Sequence, residues 1–366
     1  MYKLKICVYA ISKNEEKFVN RWVQSMKEAD EIFVLDTGST DKTADKLKKL
    51  GVNVMVKEIK PWRFDVARNE SLSMIPDDYD ICVCTDLDEV FEQGWRKKIE
   101  ELWNDKVTRL RYNYNWSLDD EGRSIVNFYI EKIHSRHGYQ WTHPVHEVLS
   151  YIGDGNEVAV TTDEITVNHY PDTNKSRGSY LPLLELSVKE DPNDDRNMHY
   201  LGREYMYYKK WNECIDTLIK HLNLKSATWK DERCASMRFI ARSYIALHRY
   251  DEALMWLDKA IEEAPHLRDP YIEKALLEYQ LKNWGEVEKL CLQALKIKSH
   301  AKSYINEVFS WDYTVYDLLS ISYFYQGLYD VALFYSSLAL KMSPKDERLL
   351  NNYEIIKKVK ENESAK

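Results

Sequence analysis

Ile81-Cys82-Val83-Cys84-Thr85 runs directly into Asp86-Leu87-Asp88-Glu89, and this change from an apolar run to clustered carboxylates decides the fold of the first half of the chain. A short, continuously apolar run is typical of a strand that is buried on both faces. Such strands belong to parallel sheets covered by helices, where ligands bind at the carboxyl ends of the strands. We therefore expect the acidic cluster to lie at a binding edge.

The same alternation of apolar runs and polar turns appears on both sides of this stretch. The predicted strands are Ile6–Ile11, Glu31–Leu35, Val52–Val56, Thr108–Tyr114, Ile125–Ile133 and Glu157–Asn168. Amphipathic helices are predicted over Glu15–Lys27 and from the turn at Asp36–Asp41 to Leu50. This rhythm predicts an α/β domain with a parallel sheet between layers of helices. Aromatic residues are dense over 112–141, and they fit either a core or a platform for an acceptor.

The second half of the chain has a different pattern, in which strand signals give way to a repeat of about 34 residues, the tetratricopeptide period. Its recurring positions are Leu201, Gly202, Tyr205 and Trp211; Ile240, Ala241, Tyr244, Tyr250, Ala253, Ala260 and Pro265; Trp284, Val287, Ala294 and Ser299; and Leu319, Ser320, Tyr323, Gly327, Tyr329, Ala332, Ala339 and Pro344. About four units fit. The pattern predicts an all-α solenoid in which small residues let paired helices approach.

Composition sets the limits for function. The 366 residues carry a net charge of −8, which argues against general binding to nucleic acid or to an anionic membrane. No apolar run approaches the length of a membrane span, and none of the six cysteines forms a CxxC pair. We therefore expect a cytoplasmic protein with reduced core thiols. The predicted domains are residues 1–175, a linker helix region over 176–195, and the repeats over 196–366.

Three segments of the first half carry side chains suited to chemistry. Asp86 and Asp88 offer the hard oxygen ligands that Mg²⁺ or Mn²⁺ prefers, although acidic residues also form ordinary turns. Asp36 opens a turn that either contacts a ligand or caps the next helix. Arg68 offers a forked cation for a base or a diphosphate, or it forms a salt bridge on a helix surface.

Together these motifs resemble the family 2 glycosyltransferases, which have the GT-A nucleotide-diphospho-sugar fold. The matching segments, in the order found in the family, are Ser12–Glu16, Leu35–Asp41, Ala67–Asn69 and Asp86–Glu89. The resemblance covers about residues 4–170. With the repeats attached, the chain looks like the tetratricopeptide-bearing branch, which includes peptide S-glycosyltransferases of the sublancin type and flagellin-type protein glycosyltransferases.

The resemblance implies roles for individual residues. The nucleoside would be bound by Asp36 and Arg68, with backbone of Ile11 and of the turn at Asn14. Asp86 would lie beside the ribose or a metal-bound water, and Asp88 would coordinate the metal. A later histidine often completes the metal site in such enzymes, and the candidate is His169 at the end of a predicted strand.

A base for the acceptor nucleophile is also required in an inverting transferase. Trp141–Glu147 resembles the His-Glu segment of this branch, and Glu147 is the predicted base. His146 and His143 are alternatives as base or as acceptor contacts, and a structural turn with a Glu–His pair is the other interpretation. The segment departs from the Glu-Asp pair that many family members use.

These observations predict a metal-dependent, inverting hexosyltransferase that moves a sugar from a UDP-sugar, or another nucleotide sugar, to a peptide or protein. Mn²⁺ or Mg²⁺ would be the cofactor, and the repeats would hold the acceptor or join two subunits in a homodimer. One alternative is transfer to a cell-surface glycan, with the repeats serving assembly. The other is an inactive scaffold, against which the intact acidic and basic motifs argue.

Overall fold

The computed structural model describes residues 3–119, 121–172, 178–300 and 302–364, and the chain divides into two compact units. The first unit extends to Glu190 and includes Lys302–Tyr304, and the second begins at Asp191. The domain boundary predicted between residues 175 and 176 lies outside the described residues, as does the start of the predicted linker at 176 and 177.

The first unit contains both strands and helices. Within its described residues the strands are β1 (Ile6–Ser12), β2 (Glu31–Asp36), β3 (Asn53–Val56), β4 (Ile81–Cys84), β5 (Glu89–Phe91), β6 (Arg109–Leu118), β7 (Ser124–Ser135), β8 (Tyr139–Thr142), β9 (Val148–Tyr151) and β10 (Ala159–His169). One sheet has the order β3-β2-β1-β4-β7-β6-β10-β5, and β8 and β9 form a separate pair.

The sheet is mixed, which corrects the prediction of a parallel sheet. The strands β1 to β4 are parallel, as expected. However, β7 runs antiparallel to both β4 and β6, and β5 runs antiparallel to β10. The consecutive strands β6 and β7 pair directly with each other, and such pairing requires the antiparallel direction. The carboxyl ends of β1, β2 and β4 still meet at one edge, where the predicted polar clusters lie.

Both faces of this sheet are covered, which explains the unbroken apolar run of β1. The helices of the unit are α1 (Val19–Met26), α2 (Thr43–Lys49), α3 (Phe64–Ser73), α4 (Trp95–Leu102) and α5 (Tyr180–Glu190). Ile6 and Val8 point into a core shared with Trp22, whereas Cys7 and Tyr9 point into a second core on the opposite face. Because successive strand residues face opposite sides, neither side of β1 has a solvent-facing position.

The second unit is entirely helical in its described residues, apart from turns and loops. Its helices are α6 (Asp195–Tyr207), α7 (Trp211–Asn223), α8 (Lys230–Ala246), α9 (Tyr250–Glu263), α10 (Asp269–Gln280), α11 (Trp284–Lys296), α12 (Thr314–Tyr325), α13 (Tyr329–Met342) and α14 (Glu347–Ser364), with a 3₁₀ turn at Val308–Ser310. Consecutive helices pack in pairs, from α6 with α7 to α12 with α13. The four pairs agree with the predicted number of repeats.

Small residues lie where the paired helices approach, as the repeat pattern predicted. Gly202 of α6 faces Leu218 of α7, and the alanines of the repeat, such as Ala253 and Ala332, are fully buried. The fold class predicted from the sequence, a GT-A-like α/β domain followed by helical repeats, is therefore confirmed. Among the described residues, every helix is too short or too polar to span a bilayer.

Candidate active site

Asp36 ends β2, and its carboxylate is engaged within its own turn. Oδ1 accepts hydrogen bonds from the backbone N–H groups of Gly38 and Ser39, at 3.1 and 2.8 Å. Oδ2 accepts from the hydroxyls of Ser39 and Ser12, at 2.6 and 3.0 Å. Ser12 is the partner of Asp36 across β1 and β2, so this carboxylate joins the two strand ends. A nucleoside hydrogen-bonded to Asp36 would have to share an acceptor with this turn.

Asn14 connects the end of β1 to the same turn. Its backbone lies in the left-handed region (φ 56°), which asparagine tolerates better than most residues. Its N–H donates to Ser39 Oγ at 2.8 Å, and its Oδ1 accepts from the N–H of Thr40 at 2.7 Å. Ile11 lies in β1 opposite Leu35 and is partly buried. Both residues therefore shape the strand end at which the nucleoside was predicted to bind.

Arg68 lies at the centre of a buried ionic cluster. It projects from α3, and its guanidinium is almost fully buried. Nη2 donates to Asp86 Oδ1 at 2.8 Å, and Nε donates to Glu147 Oε1. The guanidinium also lies 5.1 Å from the ring centroid of Trp141, within the range of a cation–π contact. The predicted surface salt bridge is therefore wrong, because this arginine is enclosed and ties two predicted site carboxylates together.

Lys132 is a member of this cluster that the sequence analysis missed. It projects from β7, and its Nζ contacts Asp86 Oδ2 at 3.2 Å and Glu89 Oε1 at 2.9 Å. Glu89 in turn accepts the backbone N–H of Asp86 at 3.0 Å. We call Arg68, Asp86, Glu147, Lys132 and Glu89 the Arg68 cluster. The sequence shows Lys132 only as one of several polar residues in this strand, a pattern equally typical of a solvent-facing position.

The charges of this cluster hold Asp86 and Lys132 in their ionised forms. Burial raises the pKa of the Asp86 carboxyl, but the charges of Arg68 and Lys132 outweigh burial and bring that pKa well below its usual range. Burial lowers the pKa of the Lys132 ammonium, yet Asp86 and Glu89 raise it above the ordinary value. Asp86 therefore stays anionic and Lys132 stays cationic across the physiological pH range.

Asp88 and His169 form a second group. His169 ends β10, which pairs with β5, and its Nε2 lies 3.5 Å from Asp88 Oδ2. Its Nδ1 lies 3.0 Å from the carbonyl oxygen of Trp116, so Nδ1 carries the donated proton. Burial lowers the pKa of this imidazole, but the hydrogen bond and charge of Asp88 raise it above the usual value. A lone pair on Nε2 and a carboxylate oxygen at this separation suit a shared divalent cation.

The aromatic residues predicted as either core or platform include both buried and exposed side chains. Tyr112 and Trp141 are buried in the two cores of the first unit. Trp116, in contrast, is 48% exposed. Its ring stacks on His169 with centroids 4.6 Å apart and an interplanar angle of 25°. The indole therefore presents an open aromatic face beside the Asp88–His169 pair.

Glu147 lies in the loop between β8 and β9, together with the two histidines considered as alternatives. His143 and His146 both adopt positive φ, 75° and 50°, a conformation uncommon outside glycine that often marks a functional loop. The backbone oxygen of Pro144 accepts the N–H of Phe64 at 2.9 Å, which fixes the loop to the start of α3. His146 packs edge-on against Tyr180, with centroids 5.7 Å apart. Of the three, Glu147 is the residue bonded to Arg68.

The predicted residues thus fall into three groups. The Arg68 cluster unites two predicted ligand contacts with the predicted base. The Asp88–His169 pair adjoins it, because Asp86 and Asp88 are two residues apart and their Cα atoms lie within about 7 Å. The turn at Asp36 is a separate group: within the described part of the chain, no hydrogen bond or ion pair links it directly to Arg68.

Comparison with known proteins agrees with this geometry. The sequence model of the family described as "Glycosyl transferase family 2" matches residues 7–151. This range includes the turn at Asp36 and the whole Arg68 cluster, and it ends before His169. The resemblance to family 2 glycosyltransferases, predicted from the motifs of the first half, is therefore confirmed over residues 7–151.

Curated relatives match segments of this chain that are shorter than the range matched by the family model. An uncharacterized glycosyltransferase of Rickettsia typhi is 36% identical over 101 residues, which is 27% of this chain and 33% of the relative. One from Rickettsia bellii is 44% identical over 59 residues, 16% of this chain and 19% of the relative. The matched segments thus span a third or less of these relatives. A solved thermophilic TPR protein of Thermus thermophilus is 22% identical, covering 49% of this chain and 89% of its own, with a TM-score of 0.36.

Proposed function

We propose that the chain is an inverting, metal-dependent glycosyltransferase that moves a sugar from a nucleotide sugar to a peptide or protein. A UDP-sugar is the first candidate for the donor. The observation that carries the proposal is the Asp88–His169 pair beside the Arg68 cluster at the carboxyl end of β4. One group offers ligands for a divalent cation, and the other offers a carboxylate that can accept a proton. Transfer of a sugar from a diphosphate to a nucleophile requires both the cation and the proton acceptor.

The residues present fit Mn²⁺ or Mg²⁺. Asp88 Oδ2 and His169 Nε2 face each other at 3.5 Å, and Trp116 fixes the tautomer that leaves Nε2 able to coordinate. Asp88 would hold the ion with His169, and Asp86 would contact the ribose or a metal-bound water. Such an ion, when bound, supplies positive charge to the departing diphosphate. The imidazole favours Mn²⁺ over Mg²⁺, which prefers oxygen ligands.

Arg68 is proposed to orient the base as well as the donor. Its Nε holds Glu147, and its Nη2 holds Asp86, so one rigid guanidinium fixes the spacing of the two carboxylates. Glu147 would accept the proton from the acceptor nucleophile, and the positive-φ loop holds it in position. Asp36, Asn14 and Ile11 would line the nucleoside end, where their turn provides backbone groups.

Removal of the metal ligand is the direct test. We expect Asp88→Ala to lose at least tenfold in manganese-dependent UDP affinity, measured by calorimetry, and to abolish transfer. Asp77→Ala is the matched control, because that aspartate is 87% exposed and should leave both properties unchanged. If Asp88→Ala binds UDP with manganese as tightly as the wild type, the proposed metal role is wrong.

The base assignment has a separate test. Glu147→Gln keeps the shape of the side chain and a hydrogen-bonding oxygen for Arg68, so we expect UDP binding to persist. Transfer should fall about 10²- to 10⁴-fold, the usual contribution of a general base. His146→Ala and His143→Ala should retain transfer if Glu147 is the base. Near wild-type turnover in Glu147→Gln would assign the role to another residue.

A polypeptide acceptor is supported by the surface of the second unit. Helical-repeat arrays present extended surfaces to their ligands, and Tyr325 and Phe334 are 61% and 57% exposed on α12 and α13 of this array. Transfer assays that compare peptides with saccharides would test the acceptor class. A homodimer formed through the repeats and a cytoplasmic location remain proposals from the sequence, the latter from its six buried thiols.

A further inference from the structure

We propose that the repeat unit contains a second divalent metal site, formed by Asp195, His221 and Glu232 and suited to Zn²⁺. One potential ligand atom from each of the three residues lies within 4.8 Å of the other two. All three residues belong to the second unit, so the proposal is independent of the transferase chemistry assigned to the first.

The three ligands come from the ends of three helices. Asp195 is the first residue of α6, His221 lies in the last turn of α7, and Glu232 lies in the first turn of α8. Carboxylates are favoured at helix starts, and an imidazole at a helix end, by the helix dipole. The dipoles account for the residue types, but they do not account for the convergence of the three side chains on one point.

His221 supplies the observation that points to a ligand. The residue is 0% exposed, and its Nε2 makes no hydrogen bond within the described part of the chain. This nitrogen instead faces Glu232 Oε1 at 3.5 Å. A buried polar atom without a hydrogen bond is destabilising, and a coordinated cation would satisfy it.

A second layer of hydrogen bonds holds the ring in the required orientation. His221 Nδ1 lies 3.0 Å from Ser236 Oγ, and the same hydroxyl lies 2.7 Å from Nδ1 of His199. When Nδ1 of His221 donates to Ser236, the hydroxyl can donate onward to His199, and Nε2 of His221 keeps its lone pair. Metal-bound histidines commonly have such a partner on the second nitrogen.

The distances between the three potential ligands and their chemical types indicate which metal the site would bind. Ligands at about 2.0–2.1 Å from a tetrahedral zinc lie about 3.3 Å from one another, which is close to the 3.5 Å between His221 and Glu232. Asp195 is only partly buried, so rotation of its side chain can close the remaining distance. One imidazole with two carboxylates favours Zn²⁺ over Mg²⁺ or Ca²⁺, which take oxygen ligands. The ion would link the first helix pair to α8.

The competing explanation is a metal-free ion pair, in which protonated His221 is held by the two carboxylates. The two explanations differ in their response to zinc. A metal site binds zinc tightly, gains thermal stability from it and gives cobalt spectra typical of tetrahedral coordination. An ion pair does none of these and gains no stability from added zinc.

Zinc binding should be measured on the full chain after treatment with a chelator. The measurement uses the Asp88→Ala variant. This substitution removes the metal site proposed for the first unit, so that site does not contribute to the number of zinc ions bound per chain. We expect one zinc per chain by calorimetry and a rise in melting temperature. Asp195→Asn, which leaves the buried groups in place, should weaken the zinc affinity at least tenfold and reduce the rise.

Asp216→Asn is the matched control, because this exposed aspartate of α7 lies outside the cluster and should bind zinc as the parent does. Tetrahedral cobalt bands that disappear in Asp195→Asn would support the site. Equal zinc affinity of the two asparagine variants would overturn the proposal, and so would a melting temperature that zinc does not raise.

Discussion

Replacement of Gly202 by alanine tests the helix packing of the repeat unit most directly. An added Cβ would lie 2.3 Å from Leu218 Cδ2 and 2.4 Å from its Cγ. Non-bonded carbon atoms rest at about 3.5–4.0 Å, so α6 and α7 would have to separate or Leu218 would have to move. Leu218 is fully buried.

The expected cost is set by two opposed effects. Overpacking of a filled core costs about 1–3 kcal/mol, whereas alanine gains about 1 kcal/mol over glycine inside a helix. The contact here is far below the van der Waals distance, so we expect the overpacking to prevail. Taking the upper part of the overpacking range, about 2–3 kcal/mol, and subtracting the helix gain of about 1 kcal/mol, we expect Gly202→Ala to lower the free energy of unfolding by about 1–2 kcal/mol.

The appropriate measurement is urea unfolding followed by circular dichroism, because the helical unit dominates that signal. A second transition is fitted where the two units unfold separately. Gly285→Ala is the control, since a Cβ at that position of α11 meets no atom within 4 Å. It should leave stability unchanged or raise it. Leu218→Ala should cost less in the Gly202→Ala background than in the wild type. A Gly202→Ala chain as stable as the parent would refute the packing argument.

Two further predictions concern buried ionisable side chains. Burial lowers the pKa of His134 to about 3, so the unfolded chain takes up the proton first, and stability is lost as the pH falls from about 6.5 towards 3. Between pH 7 and pH 5, urea unfolding should show the wild type losing about 2 kcal/mol more than His134→Gln. Arg238→Met breaks a fully buried pair with Glu273 and should cost about 3–5 kcal/mol in the same assay. Arg249→Met, which breaks an exposed pair with Glu252, should have little effect.

Local sequence patterns predicted seven of the ten strands that the structure describes, but they missed the short strands β5, β8 and β9 and did not predict the long-range pairing. The runs at Ile6–Ile11 and Ile81–Thr85 identify buried strands, because a strand covered on both faces has no polar positions. Nothing in Ile125–Ile133 indicates that this strand inserts next to β4 in the antiparallel direction. Strand order depends on contacts between residues far apart in the chain, which hydrophobic periodicity does not encode.

The residues of the candidate site also divide into those that the sequence predicts and those that it does not. Asp86 and Asp88 could be identified from sequence because both follow one strand directly. Lys132 could not, since it reaches the cluster only through the insertion of β7. The convergence of His221 with residues of α6 and α8 was also inaccessible, because the three positions share no local spacing. The strand-end pattern therefore predicts Asp86 and Asp88, and the family resemblance adds Arg68 and Glu147, whereas the tertiary fold alone brings in Lys132.

The charge balance of the first unit supports the proposed metal dependence. Within the Arg68 cluster, Lys132 offsets Glu89, and Arg68 offsets only one of the two carboxylates that it contacts. Asp88 adds another negative charge next to it. An anionic diphosphate entering this partly dry edge would meet an excess of negative charge, and such repulsion is strong where water is scarce. A divalent cation at Asp88 would reverse the sign of the interaction, so the same carboxylates that repel the free donor would help to bind it together with its metal.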